Sequence, residues 1–345
     1  MGTSTPRDLR SSTIKRKDAA SDTRPRTTLS FYRYVRVVDV LAFKKRLLQQ
    51  LSELNCLGRI YVASEGINAQ LNVPNTYWDA FDAWIQAQPE LRGITYNIAV
   101  EDLGIPSFFK LAIKIKDKIV ADGLDDASFD VTNTGDYFTA SEMNAYLEDE
   151  EAVVVDIRNN YESEVGHFQG AIMPDVATFK EELRQIPDLL RVHKHKKIAL
   201  YCTGGIRCEK ASAWLKHNGY QHVRHLQGGI VGYAHQVQKQ GLDNKFRGKN
   251  FVFDERLGER ISAEVISTCH LCRTEKSDTH FHCKNQICYG LFIGCDTCMT
   301  QRNGYCSWKC VQIAKLPKPT KKVIARYINQ FIIAKRPFQK IRMRH

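Results

Sequence analysis

Eight of the eleven cysteines lie close together near the C-terminal end of the chain, in four pairs. Two of the pairs have the C-x-x-C spacing that is typical of zinc ligands. The segment that carries them is too short and polar to form a hydrophobic core, so a bound metal would supply much of its folding free energy. The pairs are Cys269 and Cys272, Cys283 and Cys288, Cys295 and Cys298, and Cys306 and Cys310.

Metal ligation accounts for these cysteines better than disulfide bonding does. The N-terminal residues lack the apolar centre of a secretory signal, which argues against an oxidising compartment. Eight thiolates fill two tetrahedral sites and leave no open position for water, so we expect two structural zinc ions. If the first cysteine pair shares a metal ion with the third, the chain of this segment is constrained most tightly. An iron–sulfur cluster is the alternative.

Cys202 begins a loop between an apolar strand and a helix, in the sequence YCTGGIRCEKAS. Gly204 and Gly205 let the backbone curl so that successive N–H groups point at one sulfur. The positive end of the following helix and the charge of Arg207 should lower the thiol pKa. We predict that Cys202 acts as a nucleophile or persulfide carrier and that Arg207 cradles its anion. A buried cysteine that only packs is the alternative.

Neighbouring residues refine this prediction. Cysteine-based phosphatases have one more residue between Cys and Arg, so the shorter spacing here favours a single bound sulfur over an oxyanion. Cys208 could resolve an oxidised Cys202 as a disulfide or could simply pack in the helix. Asp156 and Arg158 lie at the end of a predicted strand. We interpret them as a structural ion pair rather than as direct catalytic residues.

Hydrophobic periodicity divides the chain into three folded parts and two tails. The first part has the strand–helix–strand–strand–helix–strand order of a ferredoxin-like domain. The second alternates strands with helices, which predicts a doubly wound parallel sheet with Cys202 and Asp156 at the carboxyl ends of its strands. The predicted boundaries are a disordered basic tail at 1–30, the ferredoxin-like domain at 31–125, the parallel-sheet domain at 134–240, a linker with the Cys-rich zinc module at 241–314, and a basic tail at 315–345.

The net charge of +12 resides in the tails. The first thirty residues contain seven Lys/Arg and three Asp, and the last thirty-one contain ten Lys/Arg and no acidic residue. Basic tails on a near-neutral body are expected of a protein that binds RNA or DNA, although solvated tails that only aid solubility are equally compatible. Within the C-terminal tail, VIARYINQFIIA has helical spacing of apolar residues.

A second candidate for nucleic-acid contact lies in the run PSFFKLAIKIK. Phe108 and Phe109 stand beside Lys110, Lys114 and Lys116, so aromatic rings could stack on bases while the lysines hold phosphates. A core strand with snorkelling lysines is the alternative.

Several motifs are absent from the sequence. It contains no G-x-G-x-x-G, P-loop or H-E-x-x-H motif, so we expect no nucleotide cofactor. No apolar stretch approaches the length of a membrane span, so we expect no membrane partner and a cytoplasmic location.

The motifs together resemble known families. VVVDIRNNYESEVGHFQGAI, CTGGIR and LQGGI resemble rhodanese-type domains. With YVASEGINAQLNV, GKNFVFDERLGERIS and the C-terminal Cys pairs, the chain is similar to the bacterial tRNA uridine(34) hydroxylase family over roughly residues 31–312. The resemblance implies a rhodanese-like central domain within an α/β and α+β architecture.

The same resemblance implies a function. It is oxygen-dependent hydroxylation of the wobble uridine of tRNA to 5-hydroxyuridine, with tRNA as partner and molecular oxygen as co-substrate. Cys202 would be the active-site residue, as a persulfide held by Arg207 and the loop amides. The residues by themselves leave two alternatives: a sulfurtransferase of the thiosulfate or tRNA-thiolation type, and a non-catalytic tRNA-binding scaffold. A sulfur or electron donor protein would be a further partner.

Overall fold

The computed structural model describes residues 22–101, 104–124, 128–317 and 320. The described residues form two compact units, one of those up to 121 together with 254–256, and the other of those from 122 to 253 and from 257 onward. Most of the two basic tails, including the apolar pattern at 323–334, lies outside the described residues.

The first unit is built on one five-stranded sheet in the order β4-β1-β3-β2-β5. Strands β1 to β4 pair antiparallel, and β5 joins β2 in parallel. This is the predicted ferredoxin-like order with one added strand. The elements are β1 (Arg26–Tyr34), α1 (Val40–Glu53), β2 (Leu57–Ala63), β3 (Gly66–Pro74), α2 (Trp78–Ala87), β4 (Asn97–Ile98) and β5 (Leu111–Ile115).

Both helices of this unit cover the same face of its sheet. In α1 the buried residues Phe43, Leu47 and Leu51 recur at helical spacing, and Asp39 caps the helix by accepting from the backbone N–H of Ala42. Phe81 of α2 packs in the same core as these residues. Alternate side chains on the strands therefore point into this core, and the intervening ones point to the opposite face.

The predicted disordered tail at 1–30 is wrong for residues 26–30. These residues belong to β1, which pairs with β3 from Arg26 opposite Pro74 onward. Leu29 is buried in the core, but it stands among polar residues, so the local sequence gave little sign of a strand. Long-range pairing with β3 decides the structure here.

The second unit contains a four-stranded sheet in the order β6-β10-β9-β7, with every pair parallel as predicted. Side chains from α3 and α7 pack with strand residues in one core, while α5 packs against α6. The elements are β6 (Asp136–Phe138), α3 (Ala140–Glu148), β7 (Ala152–Asp156), α4 (Asn160–Ser163), β8 (Gly166–Phe168), α5 (Phe179–Leu189), β9 (Lys197–Tyr201), α6 (Ile206–His217), β10 (Val223–Leu226) and α7 (Gly229–Gln240).

The segment after α7 is not the linker that the sequence suggested. It contains β11 (Phe246–Asn250), which pairs with β8 and with β12 (Glu259–Arg260). Phe246 is buried in the same core as the sheet residues, and its packing explains why the segment is ordered.

The cysteine-rich segment forms small elements around its thiols. They are β13 (His280–His282), β14 (Leu291–Ile293), α8 (Asp296–Gln301) and α9 (Trp308–Lys315), with β13 and β14 paired antiparallel. Among the described residues, no helix has both the length and the apolar character needed to cross a membrane.

Candidate active site and metal centres

The Cys202 loop lies at the carboxyl ends of two neighbouring parallel strands. Cys202 directly follows β9, whose last residue, Tyr201, is the register partner of Asp156 at the end of β7. This is the edge of a parallel sheet where ligands usually bind. Because β7 and β9 pair in this register, Cys202 and Asp156 lie at the same edge of the sheet, as predicted.

The start of α7 fixes the backbone of the loop. The N–H of Ile230 donates to the carbonyl of Cys202 at 2.9 Å, and the N–H of Val231 donates to that of Thr203 at 3.2 Å. Gly229 has φ +62°, and a Cβ at this position would lie 2.5 Å from the Cys202 carbonyl oxygen. Only glycine allows this close approach without displacing the loop.

The loop directs hydrogen-bond donors at the Cys202 sulfur. The N–H of Gly205, at φ +103°, donates to Cys202 Sγ at 3.1 Å. Burial of the thiol raises its pKa, but the Cys208 thiol, the charge of Arg207 and the N–H groups of Cys208 and Gly205 outweigh it. The net effect lowers the pKa of Cys202 to about 6. The sulfur is therefore largely anionic at neutral pH, although the side chain is fully buried.

Arg207 is bound to a carboxylate rather than to the sulfur. Its Nη1 and Nη2 donate to Glu162 Oε1 and Oε2 at 2.6 and 2.8 Å, and Nη2 also donates to Thr203 Oγ1 at 3.1 Å. Burial lowers the pKa of Arg207, but the charge of Glu162 outweighs it and leaves that pKa well above the ordinary value. Among the described residues, Glu162 and Thr203 are the hydrogen-bond partners of the Arg207 guanidinium. Arg207 therefore acts on Cys202 through its charge, while its bond to Thr203 holds the Cys202 loop in place.

Glu162, the carboxylate partner of Arg207, lies in the run VVVDIRNNYESEVGHFQGAI. Glu162 lies on α4, and its Oε1 also accepts from the backbone N–H of Asn159 at 3.1 Å, within a capping box. The two partners are 45 residues apart, so no local pattern could reveal the pair.

Asp156 and Arg158 form the predicted structural ion pair. Arg158 Nε and Nη2 donate to the two carboxylate oxygens of Asp156 at 2.8 and 2.7 Å, and Nη2 also donates to the carbonyl of Gly166 at 2.6 Å. The hydroxyl of Tyr201 donates to Asp156 at 2.8 Å. Both charged side chains are fully buried. The pair thus ties together the ends of β7, β8 and β9.

Cys208 lies in the first turn of α6, beside Cys202. Burial, followed by the hydrogen bond to Cys202 and the charge of that sulfur, raises the pKa of Cys208 well above the ordinary thiol value. Cys208 therefore stays protonated at neutral pH, and its S–H can donate to the Cys202 anion. A protonated thiol is a poor nucleophile, so this environment favours a donor over a resolving cysteine.

The eight clustered cysteines form two groups that could each hold a metal ion. The first contains Cys269, Cys272, Cys295 and Cys298, and the second contains Cys283, Cys288, Cys306 and Cys310, with the sulfurs of each group within 4.8 Å of one another. The first pair thus combines with the third, which confirms the predicted interleaving.

Sulfur separations in the second group fit a tetrahedral zinc site. Cys306 Sγ lies 3.6 Å from the Sγ atoms of both Cys288 and Cys310. Four sulfurs at the Zn–S distance of about 2.3 Å would be about 3.8 Å apart. These two separations, and the position of the Cys283 sulfur within 4.8 Å of the other three, are consistent with a structural zinc centre.

Comparison with known proteins agrees with this architecture. Residues 26–119 match the UPF0176 acylphosphatase like domain, residues 139–236 the rhodanese-like domain, and residues 247–311 the rhodanase C-terminal domain. A protein of Leptospira interrogans named tRNA uridine(34) hydroxylase is 50% identical over 313 residues, which cover 91% of this chain and 85% of the relative. A protein of Escherichia coli with the same name is 50% identical over 291 residues, covering 84% of this chain and 83% of the relative.

The chain belongs to the tRNA uridine(34) hydroxylase family. The resemblance noted in the sequence is therefore confirmed, as is the expected combination of a first α+β domain, a rhodanese domain and a cysteine-rich segment; the first domain, predicted as ferredoxin-like, matches the acylphosphatase like model. As a member of the tRNA uridine(34) hydroxylase family, the protein is an enzyme. Among solved structures, a rhodanese-like domain protein of Staphylococcus aureus is 26% identical, with a TM-score of 0.24 and coverage of 28% of this chain and 90% of that one.

Proposed function

We propose that the protein hydroxylates the wobble uridine of tRNA to 5-hydroxyuridine, with molecular oxygen as co-substrate and Cys202 as the active-site residue. The observation that carries the proposal is the match, at about half identity and over most of both chains, to relatives named for this activity. The buried anionic sulfur at the carboxyl edge of the parallel sheet supports the choice of site. A cytoplasmic location is part of the proposal.

The residues around Cys202 have separate tasks in this proposal. The N–H of Gly205 and the S–H of Cys208 stabilise negative charge on the sulfur. Arg207 adds its positive charge, and Glu162 keeps that charge in place. In a persulfide, the outer sulfur would extend about 2 Å beyond Sγ.

The chemistry also requires an external reductant. Insertion of one atom of O₂ into the C5–H bond of uridine leaves the other atom to be reduced to water, which consumes two electrons and two protons. The proposal therefore includes a two-electron donor as a further partner.

The cysteine groups have a structural role in this proposal. Each would hold one zinc ion through four thiolates, with no ligand position left for substrate. The metal would then stabilise a segment that has few apolar residues to bury.

A sulfurtransferase is the second candidate, because the low pKa of Cys202 also suits a sulfur carrier. Mass spectrometry of tRNA nucleosides from a deletion strain separates the candidates. Loss of 5-hydroxyuridine supports hydroxylation, whereas loss of thiolated uridine supports sulfur transfer. Restoration of the modification by wild-type protein but not by Cys202→Ala supports catalysis at this thiol, whereas restoration by both indicates a scaffold.

A further inference from the structure

The sheet of the first unit presents an ordered row of side chains on the face opposite α1 and α2. Tyr32 on β1 pairs with Asn68 on β3, Asn68 pairs with Tyr61 on β2, and Tyr61 pairs with Lys114 on β5. The row therefore crosses four neighbouring strands. Paired residues on adjacent strands point to the same side, so these four side chains share one face.

A second row extends this surface. Gln70 pairs with Ser30 and with Arg59, which brings an amide and a guanidinium next to the first row. We call the two rows together the tyrosine face. Its members are Tyr32, Asn68, Tyr61 and Lys114 in the first row, and Ser30, Gln70, Arg59 and Ala112 in the second.

Positive charge is concentrated along one side of the tyrosine face. Lys116 Nζ lies 5.7 Å from the centre of the Tyr61 ring, which places a cation directly beside an aromatic surface. Burial and the nearby charges of Lys116, Lys110 and Arg59 lower the pKa of Lys114. Such crowding of cations creates a potential that attracts phosphate groups.

Two chain segments border the tyrosine face. On one side, Ser107 Oγ accepts from Asn72 Nδ2 at 3.0 Å and lies 2.8 Å from Thr28 Oγ1. On the other side, the carbonyl of Ile119 accepts from Asn68 Nδ2 at 3.3 Å. The rows thus lie beside these two segments, and their tyrosine, lysine and arginine side chains are partly exposed.

We propose that the tyrosine face binds the unpaired bases of the tRNA anticodon loop. Bases of single-stranded RNA stack on aromatic side chains of four-stranded sheets, and lysines hold the adjoining phosphates. Tyr61 and Tyr32 provide the rings, and Lys114, Lys116 and Arg59 provide the charge. The Gln70 amide donates to Asn68 Oδ1 at 3.1 Å, which holds the two side chains between the rings in place. The inference rests on the proposed function and assigns the surface that recognises its substrate. Phe108 takes no part, because it is buried.

Binding of the full-length protein to an anticodon stem-loop RNA tests this surface. Loss of one stacking partner in Tyr61→Ala should weaken binding by about 5- to 150-fold, whereas Tyr61→Phe keeps the ring and should bind like the wild type. Lys116→Ala should reduce the salt dependence of binding, with a slope smaller by about 0.7. Lys45→Ala is the matched control, because Lys45 is exposed on α1, on the other side of the sheet.

The outcomes are distinguishable. Wild-type affinity of both Tyr61→Ala and Lys116→Ala would overturn the inference, as would equal losses for Tyr61→Ala and Tyr61→Phe. Photo-crosslinking of 5-iodouridine in the loop to wild-type protein gives an answer that needs no variant: a link to Tyr61 or Tyr32 supports the surface, and links elsewhere alone contradict it. Absence of 5-hydroxyuridine formation with intact Tyr61-dependent binding would defeat the proposed function and leave the surface standing.

Discussion

Arg207 and Glu162 face each other through two parallel hydrogen bonds, at 2.6 and 2.8 Å, in the interior of the second unit. The pair joins the first turn of α6, which follows the Cys202 loop, to the short helix α4 after β7. Its geometry is the bidentate arrangement in which arginine binds carboxylates most strongly. The positive charge beside Cys202 is therefore held in place by a residue far away in the sequence.

Glu162→Gln should destabilise the protein strongly. It leaves the buried Arg207 guanidinium without its counter-charge, and breaking such a pair costs about 3–5 kcal/mol in the free energy of unfolding. Urea denaturation measures the loss. Glu164→Gln is the control, because Glu164 bonds His270 at 2.6 Å where both side chains are over one-third exposed, and such surface pairs contribute about 0–1 kcal/mol. Equal effects of the two variants would contradict the structural role of Glu162.

The alkylation of Cys202 should have its pH midpoint well below that of an ordinary thiol. Its pKa is lowered to about 6, so alkylation by iodoacetamide should rise through pH 6 and level off above pH 7. Peptide mass spectrometry identifies the labelled cysteine. Cys56 is the internal control, since burial raises its pKa to about 12 and should keep it unlabelled across this range. A Cys202 midpoint above pH 8 would contradict the predicted environment.

The same pKa shift affects stability. The pKa of Cys202 is lower in the folded protein than the value of about 8.5 for an ordinary thiol, so the thiolate stabilises the folded state. This contribution is fully present above the unfolded value and is lost as the pH falls through 6. Cys202→Ser should therefore flatten the dependence of unfolding free energy on pH between 6 and about 8.5, as measured by urea denaturation at several pH values. An unchanged pH dependence in this variant would contradict the assignment.

Cys208 should be a hydrogen-bond donor to Cys202. Cys208→Ala removes the S–H donor and should shift the alkylation midpoint of Cys202 to higher pH, whereas Cys208→Ser keeps a donor and should shift it less. The midpoint should stay below that of an ordinary thiol, because Arg207 and the Gly205 N–H remain. Identical profiles for wild type and Cys208→Ala would contradict this role, and Cys56→Ala controls for loss of a buried thiol.

Elemental analysis of the purified protein should give two zinc ions per chain. Cys272 and Cys298 belong to one group, so the double variant Cys272→Ala, Cys298→Ala should lose one ion. Cys310 belongs to the other group, so Cys272→Ala, Cys310→Ala should lose both. Cys56→Ala should keep both ions. Equal losses in the two double variants would contradict the interleaved pairing, and iron with visible colour would contradict zinc.

The order of the elements and the sulfur chemistry could be predicted from local patterns. Apolar residues recur along the sequence with the spacing of the helix or strand that buries them. The apolar runs before Asp156 and Cys202 therefore predicted the two strands that end at the carboxyl edge of the parallel sheet. The glycines of the Cys202 loop and the spacing of the cysteine pairs are local as well. The sulfur site and the four cysteine pairs therefore followed from neighbouring residues, whereas the combination of the pairs into two groups depends on the fold.

Only the tertiary structure decided which distant groups meet. The sequence alone determined the ferredoxin-like order, the parallel sheet and the candidate thiols, because periodicity and turn chemistry are encoded in consecutive residues. It did not determine the pairing of Glu162 with Arg207, the start of β1 at Arg26, or the row from Tyr32 to Lys114. Each of these depends on strand register or loop packing, and register is set by the burial of a whole face rather than by any single segment.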